Sequence, residues 1–432
     1  MKHLFRRSTL RRVLPAATLL AAFGLAAGLV APAQAGQNIP SLPQTNAADW
    51  TPRVVDDSVV GDAGVYKLLQ AGSTMFAGGE FNKVLDAAGT TSYQRSNFLV
   101  FDASSGAVSS WAPAFNKPVW TMVASPDGRY LYVGGQFTRA DGKWEPKVAK
   151  YDLQTRTLDR SFDFPIEEGR VTDLQFLKGR LVAAGTFPGG ILAVDPATGA
   201  TDPYFANTQA TGQEDGYPTR VYRFAVNPAG DRMVVIGSFT AIGGQPRQQA
   251  AMLDLGSSSA SVSGWFSDRF NLDCASDLRF YTRDVDWSPD GAHFAIGGTG
   301  GPAPKTSKLC DTVTWWTPTE NPKQQPVWIQ YSGGDTFHSV TVTDRAVFVG
   351  GHFRWLDNPS GSDSAGPGAV SRQGLGALDP ATGKALSWNP TKSVEGGRGA
   401  YDLYFTGAGL WVGHFEQKIS KELHQGLGLL PF

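Results

Sequence analysis

The sequence predicts an all-β chain: a seven-bladed β-propeller with four-stranded blades, its ring closed by the N-terminal strand pairing with the C-terminal blade. Three observations predict it. An apolar segment ending in Gly-x-Phe or a close variant recurs seven times. A second apolar segment, often ending in Asp, follows each copy, and an aromatic segment reached through a tight Gly turn usually follows that. One order repeated at a period near 55 residues is the size of a propeller blade, and two stacked sandwiches would not explain it. Gly at 51 and Pro at 27, without a long amphipathic stretch, also favour many short strands joined by turns.

Residues 1–35 read as a secretion signal. Lys2, Arg6, Arg7, Arg11 and Arg12 form a basic region without an acid, "LPAATLLAAFGLAAGLV" is a short apolar run, and Ala33-Gln34-Ala35 is a small-x-small cleavage site. The run is short for a membrane span and no other segment reaches spanning length, so the mature chain is expected to have no transmembrane segment. The general export route is expected, and the paired arginines of "LRRVLP" permit the twin-arginine route. Cleavage removes five basic residues and no acidic one, leaving 33 basic against 39 acidic and a net charge of −6. Nucleic acid is therefore not an expected partner, because its phosphates demand a basic face. Residues 36–47 read as a short linker and 48–432 as one repeat domain.

The Gly-x-Phe segments are "MFAGGEF" (75–81), "LYVGGQF" (131–137), "LVAAGTF" (181–187), "MVVIGSF" (233–239), "FAIGGTG" (294–300), "VFVGGHF" (347–353) and "LWVGHF" (410–415). The fifth has lost its Phe. A double glycine at a strand end allows close backbone approach or a bulge, and the Phe then packs between adjacent sheets. "SPDG" (125–128, 288–291) and "NPAG" (227–230) turn the chain into these segments, and "DPATG" (195–199, 379–383) turns it into the aromatic strand. Pro presets φ, Asp caps backbone amides and Gly supplies the positive φ that closes each hairpin. Labelled A to D, the outer D strands fall near Trp111, Phe162, Tyr204, Trp265, Trp328 and Trp388, six for seven blades, since the chain ends at Phe432. Trp50-Thr51-Pro52 repeats the Trp-x-Pro of 111–113 and 388–390. The expected closing strand is therefore 48–53, paired with 426–430, which seals an exposed edge.

At "GSFTAIGGQPRQQAAMLDL" and "GGQFTRADGKWEPKVAKYDLQTRTLD" the chain resembles the delta-60 repeat propellers of secreted bacterial proteins, over nearly all of 48–432. The resemblance implies the fold and an extracellular setting, and no activity. "ALDPATGKALSWNP" also looks like a quinoprotein blade. Cys274 and Cys310, 36 positions apart, do not supply the vicinal cysteine pair that pyrroloquinoline quinone dehydrogenases carry, and no cofactor is expected.

No HExxH, GxSxG, CxxC or EF-hand loop is present. His352 and His414 share the slot between Gly and Phe in neighbouring blades, a weak candidate for metal binding. Aligning the innermost strands on "VYKL", "VWTM", "VTDL", "VYRF", "TRDV", "FHSV" and "AYDL" places Lys67, Thr121, Asp173, Arg223, Asp284, Ser339 and Asp402 in one ring on the channel. Such charges either orient a polar ligand or pair with one another. His338, in the sixth segment, joins Asp173, Arg223, Asp284 and Asp402 as a binding candidate. The long loops share one face and carry Trp144, Tyr217, Phe270, Phe280, Arg354 and Trp355 as exposed candidates, and the longest, 352–374, contains the run "NPSGSDSAGPG" (358–368), read as flexible. Two cysteines in an exported chain are expected to pair, Cys274 with Cys310.

The function expected is a secreted binding protein that engages an extracellular protein or a cell-wall or environmental glycan through its long-loop face, around Trp355, Arg354 and the channel mouth. The alternative is an extracellular hydrolase or lyase with a polar site at that mouth. The two differ in which substitutions they tolerate: loop changes disable a binder and channel changes disable an enzyme.

Overall fold

The computed structural model describes residues 36–56, 63–213, 218–271, 274, 280–302, 309–320, 323–393 and 398–432. The expected export signal and Tyr217 lie outside the described residues. Among the described residues no helix is long and apolar enough to cross a membrane.

The chain is all-β, built of antiparallel meanders in which each sheet's strands follow chain order from inside to outside. Sheet 1 runs Gly64–Ala71, Thr74–Glu80, Phe98–Asp102, and sheet 2 runs Val119–Ala124, Tyr130–Gly135, Val148–Asp152, Thr157–Leu158. Sheet 3 is Val171–Leu177, Arg180–Gly185, Ile191–Val194, Thr201–Asp202, and sheet 4 is Arg220–Val226, Arg232–Ser238, Ala250–Leu255, Ala260–Val262. Sheet 5 is Tyr281–Trp287, Phe294–Thr299, Thr312–Trp316, Trp328–Tyr331. Sheets 6 (Phe337–Val342, Val347–Gly351, Leu375–Leu378) and 7 (Ala400–Thr406, Gly409–His414, Leu427–Pro431) have three strands each. Single bridges, Phe101 to Val108 and Leu378 to Ala385, mark the start of a fourth strand in sheets 1 and 6. The inner strand of each sheet packs on the next, and that of sheet 7 packs on that of sheet 1.

The core lies between sheets. Phe81, Phe137, Phe187, Phe239, Phe353 and Phe415, the Phe residues of the repeat, are all buried. In the fifth copy Gly300 stands in their place, and a Cβ there would lie 2.6 Å from Cys274 Sγ and 3.2 Å from Cys310 Cβ. The Cys274–Cys310 disulfide, present as expected, fills the space of the missing ring.

Outer-strand tryptophans tie one sheet to the next. Trp265 Nε1–H donates to Thr317 O and Trp328 Nε1–H to Pro380 O, each in the turn of the following sheet. Trp388 Nε1–H donates to Pro43 O in the N-terminal segment. That segment runs along the last strand: Gln44 N–H donates to Pro431 O and Ala48 N–H to Leu429 O. The contact therefore includes Ala48 of the expected 48–53 and extends past it on both sides, to Gln44 and to Val54, whose N–H donates to Gln425 O. Arg53–Val55 also pairs with Lys83–Leu85, while Trp50 packs edge-on against Trp411 at 5.7 Å. Trp50 packs against the cluster that holds Trp411, Leu427 and Leu429. A Cβ on Gly106, in the turn of sheet 1, would lie 2.0 Å from its carbonyl oxygen.

Candidate functional site at the central channel and its long-loop mouth

Near the start of every inner strand the register with its neighbour slips. The slips fall between Val65 and Lys67, Val119 and Thr121, Val171 and Asp173, Val221 and Arg223, Thr282 and Asp284, Phe337 and Ser339, and Ala400 and Asp402. A β-bulge re-aims the side chains around it. The residue after each slip is a member of the ring read from the sequence. Lys67, Asp173, Arg223, Asp284 and Asp402 line one central cavity, and beside Thr121 and Ser339 its wall is Met122 and Val340.

The ring charges pair between neighbouring sheets. Lys67 Nζ lies 3.0 Å from Asp402 Oδ1, and Arg223 reaches Asp173 at 3.8 Å and Asp284 at 3.9 Å. The carboxylates also accept backbone N–H groups from the next inner strand, Leu68 to Asp402, Phe224 to Asp173 and Val340 to Asp284. Two residues on, Val342 N–H donates to Asp286. Burial pushes the carboxyls of Asp173 and Asp286 upward, and that of Asp284 to about 6 in spite of Arg223. These groups hold sheets together.

The cavity measures about 150 Å³. That is room for about five waters at ~30 Å³ each, and less than the roughly 300 Å³ at which ligand pockets begin. At the short-turn end Gly36 N–H donates to Trp287 O and Gln37 N–H to Val342 O, so the N-terminal segment crosses there.

The bulged residues occupy the other end, on the long-loop face: Tyr66, Trp120, Thr172, Tyr222, Arg283, His338 and Tyr401. Tyr66 stacks on Trp120 at 3.9 Å and meets Tyr401 edge-on at 5.2 Å, and Tyr401 stacks on His338 at 4.4 Å. Arg283 Nη2 donates to His338 Nδ1 at 2.9 Å. Burial first, then the Arg283 charge, holds His338 well below the usual imidazole range, so it is neutral and its proton sits on Nε2. Arginines from the segments entering the inner strands join the group: Arg170 lies 4.3 Å over Trp120, Arg220 4.3 Å over Tyr222 and Arg398 5.3 Å over Phe415. The sequence reading singled out His338 alone of these. A signal was present, because the position before the ring residue is aromatic, Arg or His in six of the seven aligned segments.

The remaining candidates separate. Arg354 is paired to Asp335 through two bonds of 2.9 Å and to Asp363 at 3.3 Å, and its guanidinium lies 4.5 Å over Trp355. The run 358–368, expected as flexible, is instead organised around fully buried Asn358. Its amide donates to Ser332 O and Ser364 O and accepts from Gly366 N–H. Phe270 and Phe280, expected as exposed, are buried, and Phe270 packs 5.3 Å from Trp316 because the disulfide draws both loops onto the core. Trp144 is 49% exposed. His352 lies 5.4 Å from His338, while His414 is fully buried and its Nδ1 accepts Glu416 N–H. Among the described residues no group of three or more His, Cys, Asp or Glu is placed to hold a metal.

Five loops of this face add a small hairpin beyond the main sheets, including Arg139–Ala140 with Lys143–Trp144 and Trp355–Leu356 with Val370–Ser371. The opposite face has mostly short turns, the connection 317–327 of sheet 5 being longer.

No family model matches the sequence, and no curated protein matches it. Among solved structures, the WD40 repeats of RRP9 superpose with a TM-score of 0.52 at 13% identity, covering 90% of this chain and 99% of that one. A structure of U3-55K gives 0.51 at 13% identity, over 90% of this chain and all of the other. At such identity the likeness carries the fold alone, and the fold is a β-propeller.

Proposed function

We propose that this chain is a secreted binding protein: a seven-bladed propeller closed by its N-terminal segment, engaging an extracellular protein or glycan through its long-loop face. The observation that carries the reading is the contrast between the two candidate surfaces. The charged channel is small, internally paired and crossed at one end by the chain itself, whereas the long-loop face carries the added hairpins, exposed Trp144 and the aromatic–arginine mouth. Recognition resides on loops held by a rigid scaffold, and arginine with aromatic residues is the usual composition of binding hot spots. The solved propellers it resembles include WD40 repeats, a fold used widely as an interaction scaffold.

The test is affinity capture from culture supernatant and cell wall with the purified mature chain, followed by affinity measurement with Trp144→Ala and with the pair Trp355→Ala/Arg354→Ala. Loop variants that stay folded and lose the captured partner support the reading, with Trp144→Ala keeping the parent's melting temperature and the Arg354 pair variant melting lower because Asp335 loses its guanidinium. Unchanged affinity in both, together with loss on Asp284→Asn in the channel, would transfer function to the channel and revive the hydrolase or lyase alternative.

A further inference from the structure

We propose that the long-loop mouth of the channel is an oxyanion-binding site that takes a carboxylate or sulfate group of an extracellular ligand on Arg170, Arg283 and the neighbouring ring N–H groups. The inference rests on the long-loop face being the binding face.

Three polar atoms at this mouth are buried without a hydrogen-bond partner among the described residues: Trp120 Nε1, Arg170 Nε and His338 Nε2. All three are donors. Orphaned buried donors are costly, so the arrangement calls for acceptors. His338 accepts from Arg283 on Nδ1, which leaves Nε2–H as a buried donor without a partner among the described residues.

Arg170 has the same need, while Arg283 already donates to His338 Nδ1 at 2.9 Å and to the Tyr281 hydroxyl at 3.4 Å. Among the described residues no carboxylate lies within salt-bridge distance of Arg170 or Arg283, whereas Lys67, Lys150, Arg223 and Arg354 each have one. Arg170 covers one face of Trp120 and Tyr66 covers the other. The aromatic planes are thus used in supporting the guanidinium, and its N–H edge remains for a planar, two-oxygen acceptor. Arg283 is supported likewise by Tyr281 at 5.3 Å and Tyr401 at 5.6 Å. The carboxylate of Glu80 accepts from the Tyr66 hydroxyl at 3.4 Å. The whole chain carries a formal charge of −1. A knot of guanidiniums at one mouth is a local reversal that concentrates anions there.

The experiment is calorimetric titration of the purified full chain with sodium sulfate, inorganic phosphate and galacturonate, with galactose as the neutral counterpart. Saturable binding of an anion and none of galactose is expected. Sulfate alone would assign a sulfated ligand, galacturonate alone a uronate, and phosphate alone a phosphorylated one. Arg170→Met keeps the stem over Trp120 and should weaken binding roughly tenfold or more. Arg170→Lys, which keeps the charge without the planar fork, should weaken it less, and Arg156→Gln on a distant turn should not change it. If no anion binds saturably at millimolar concentration to a folded chain, the donors are served by water and the proposal falls. It falls equally if Arg170→Met and Arg170→Lys bind as the parent does. A captured partner that still binds Arg170→Met, and is not displaced by these anions, would overturn the oxyanion site while leaving the long-loop docking surface intact.

Discussion

Buried carboxylates govern how single residues respond to pH. Asp311 is 1% exposed, bonds Thr336 Oγ1 at 3.4 Å and leaves Oδ2 without a partner. Burial, and then the charge of Asp335, pushes its carboxyl up to about 7, and Asp284 rises to about 6. A carboxyl raised on folding keeps its proton where the unfolded chain has released it. Its contribution to stability is therefore full at low pH and is lost as pH climbs from about 4 through the folded value. Asp311→Asn should flatten the melting temperature between about pH 4 and 7, and an unchanged slope would show that Asp311 does not ionise there. Arg354→Ala should cost about 2 kcal/mol, because it strips the buried Asp335 of its paired guanidinium. That is less than the roughly 3–5 kcal/mol for a fully buried pair, since Arg354 is partly in solvent. Chemical denaturation measures it, and a loss near zero would return Arg354 to the list of ligand contacts. The ring positions were readable as the third residue of each aligned segment. Of the bulged residues only His338 was singled out, although the aromatic, Arg or His residue before six of the seven ring positions was a signal, because alternation assigns these residues to the sheet interior and a register slip turns them to the mouth.

Single elements are joined by two devices. The disulfide stands where the fifth Gly-x-Phe segment has Gly300, and closes a span of 36 residues. The loop-entropy model gives roughly 4 kcal/mol for such a span, an upper figure because the strands already tether both loops. Cys274→Ser/Cys310→Ser should lose about 2 kcal/mol, and the parent should take up no label when alkylated without reductant. Two labelled thiols would rule the bond out. The tryptophan links act between sheets, and Trp388→Phe removes the bond to Pro43 O together with part of the ring's packing on Phe348. It should cost about 1 kcal/mol, and a variant as stable as the parent would leave the indole N–H without a role. Sequence spacing located these tryptophans and the cysteine pair. It did not reveal that the disulfide substitutes for a phenyl ring, which depends on two loops meeting at one vacant core position.

For the whole molecule, the decisive contact is between its ends. The N-terminal segment supplies acceptors for Trp388, donors to Leu429 and Pro431, and buried Ile39 and Ala47 in the core beside sheet 7. Without it, the outer side of Leu427–Pro431 would present unpaired backbone groups, a template for aggregation. Deleting residues 36–55 should lower the melting temperature by many degrees and produce concentration-dependent aggregation, read by light scattering. A truncated chain that melts like the parent and stays monomeric would refute closure through this segment.

The order of the repeated strand segments, the turns that join them, the inner-strand ring and the cysteine pairing were determined by the sequence itself. Each rests on local chemistry: alternating burial, Asp-Pro and Gly turns, and one motif order repeated along the chain. Only the tertiary structure decided what those segments do together. It turned the ring charges on one another, crossed the short-turn end of the channel with Gly36 and Gln37, and gathered seven bulged residues into one mouth. Those outcomes depend on how neighbouring sheets meet, and residues about fifty positions apart carry no local sign of facing each other across an axis.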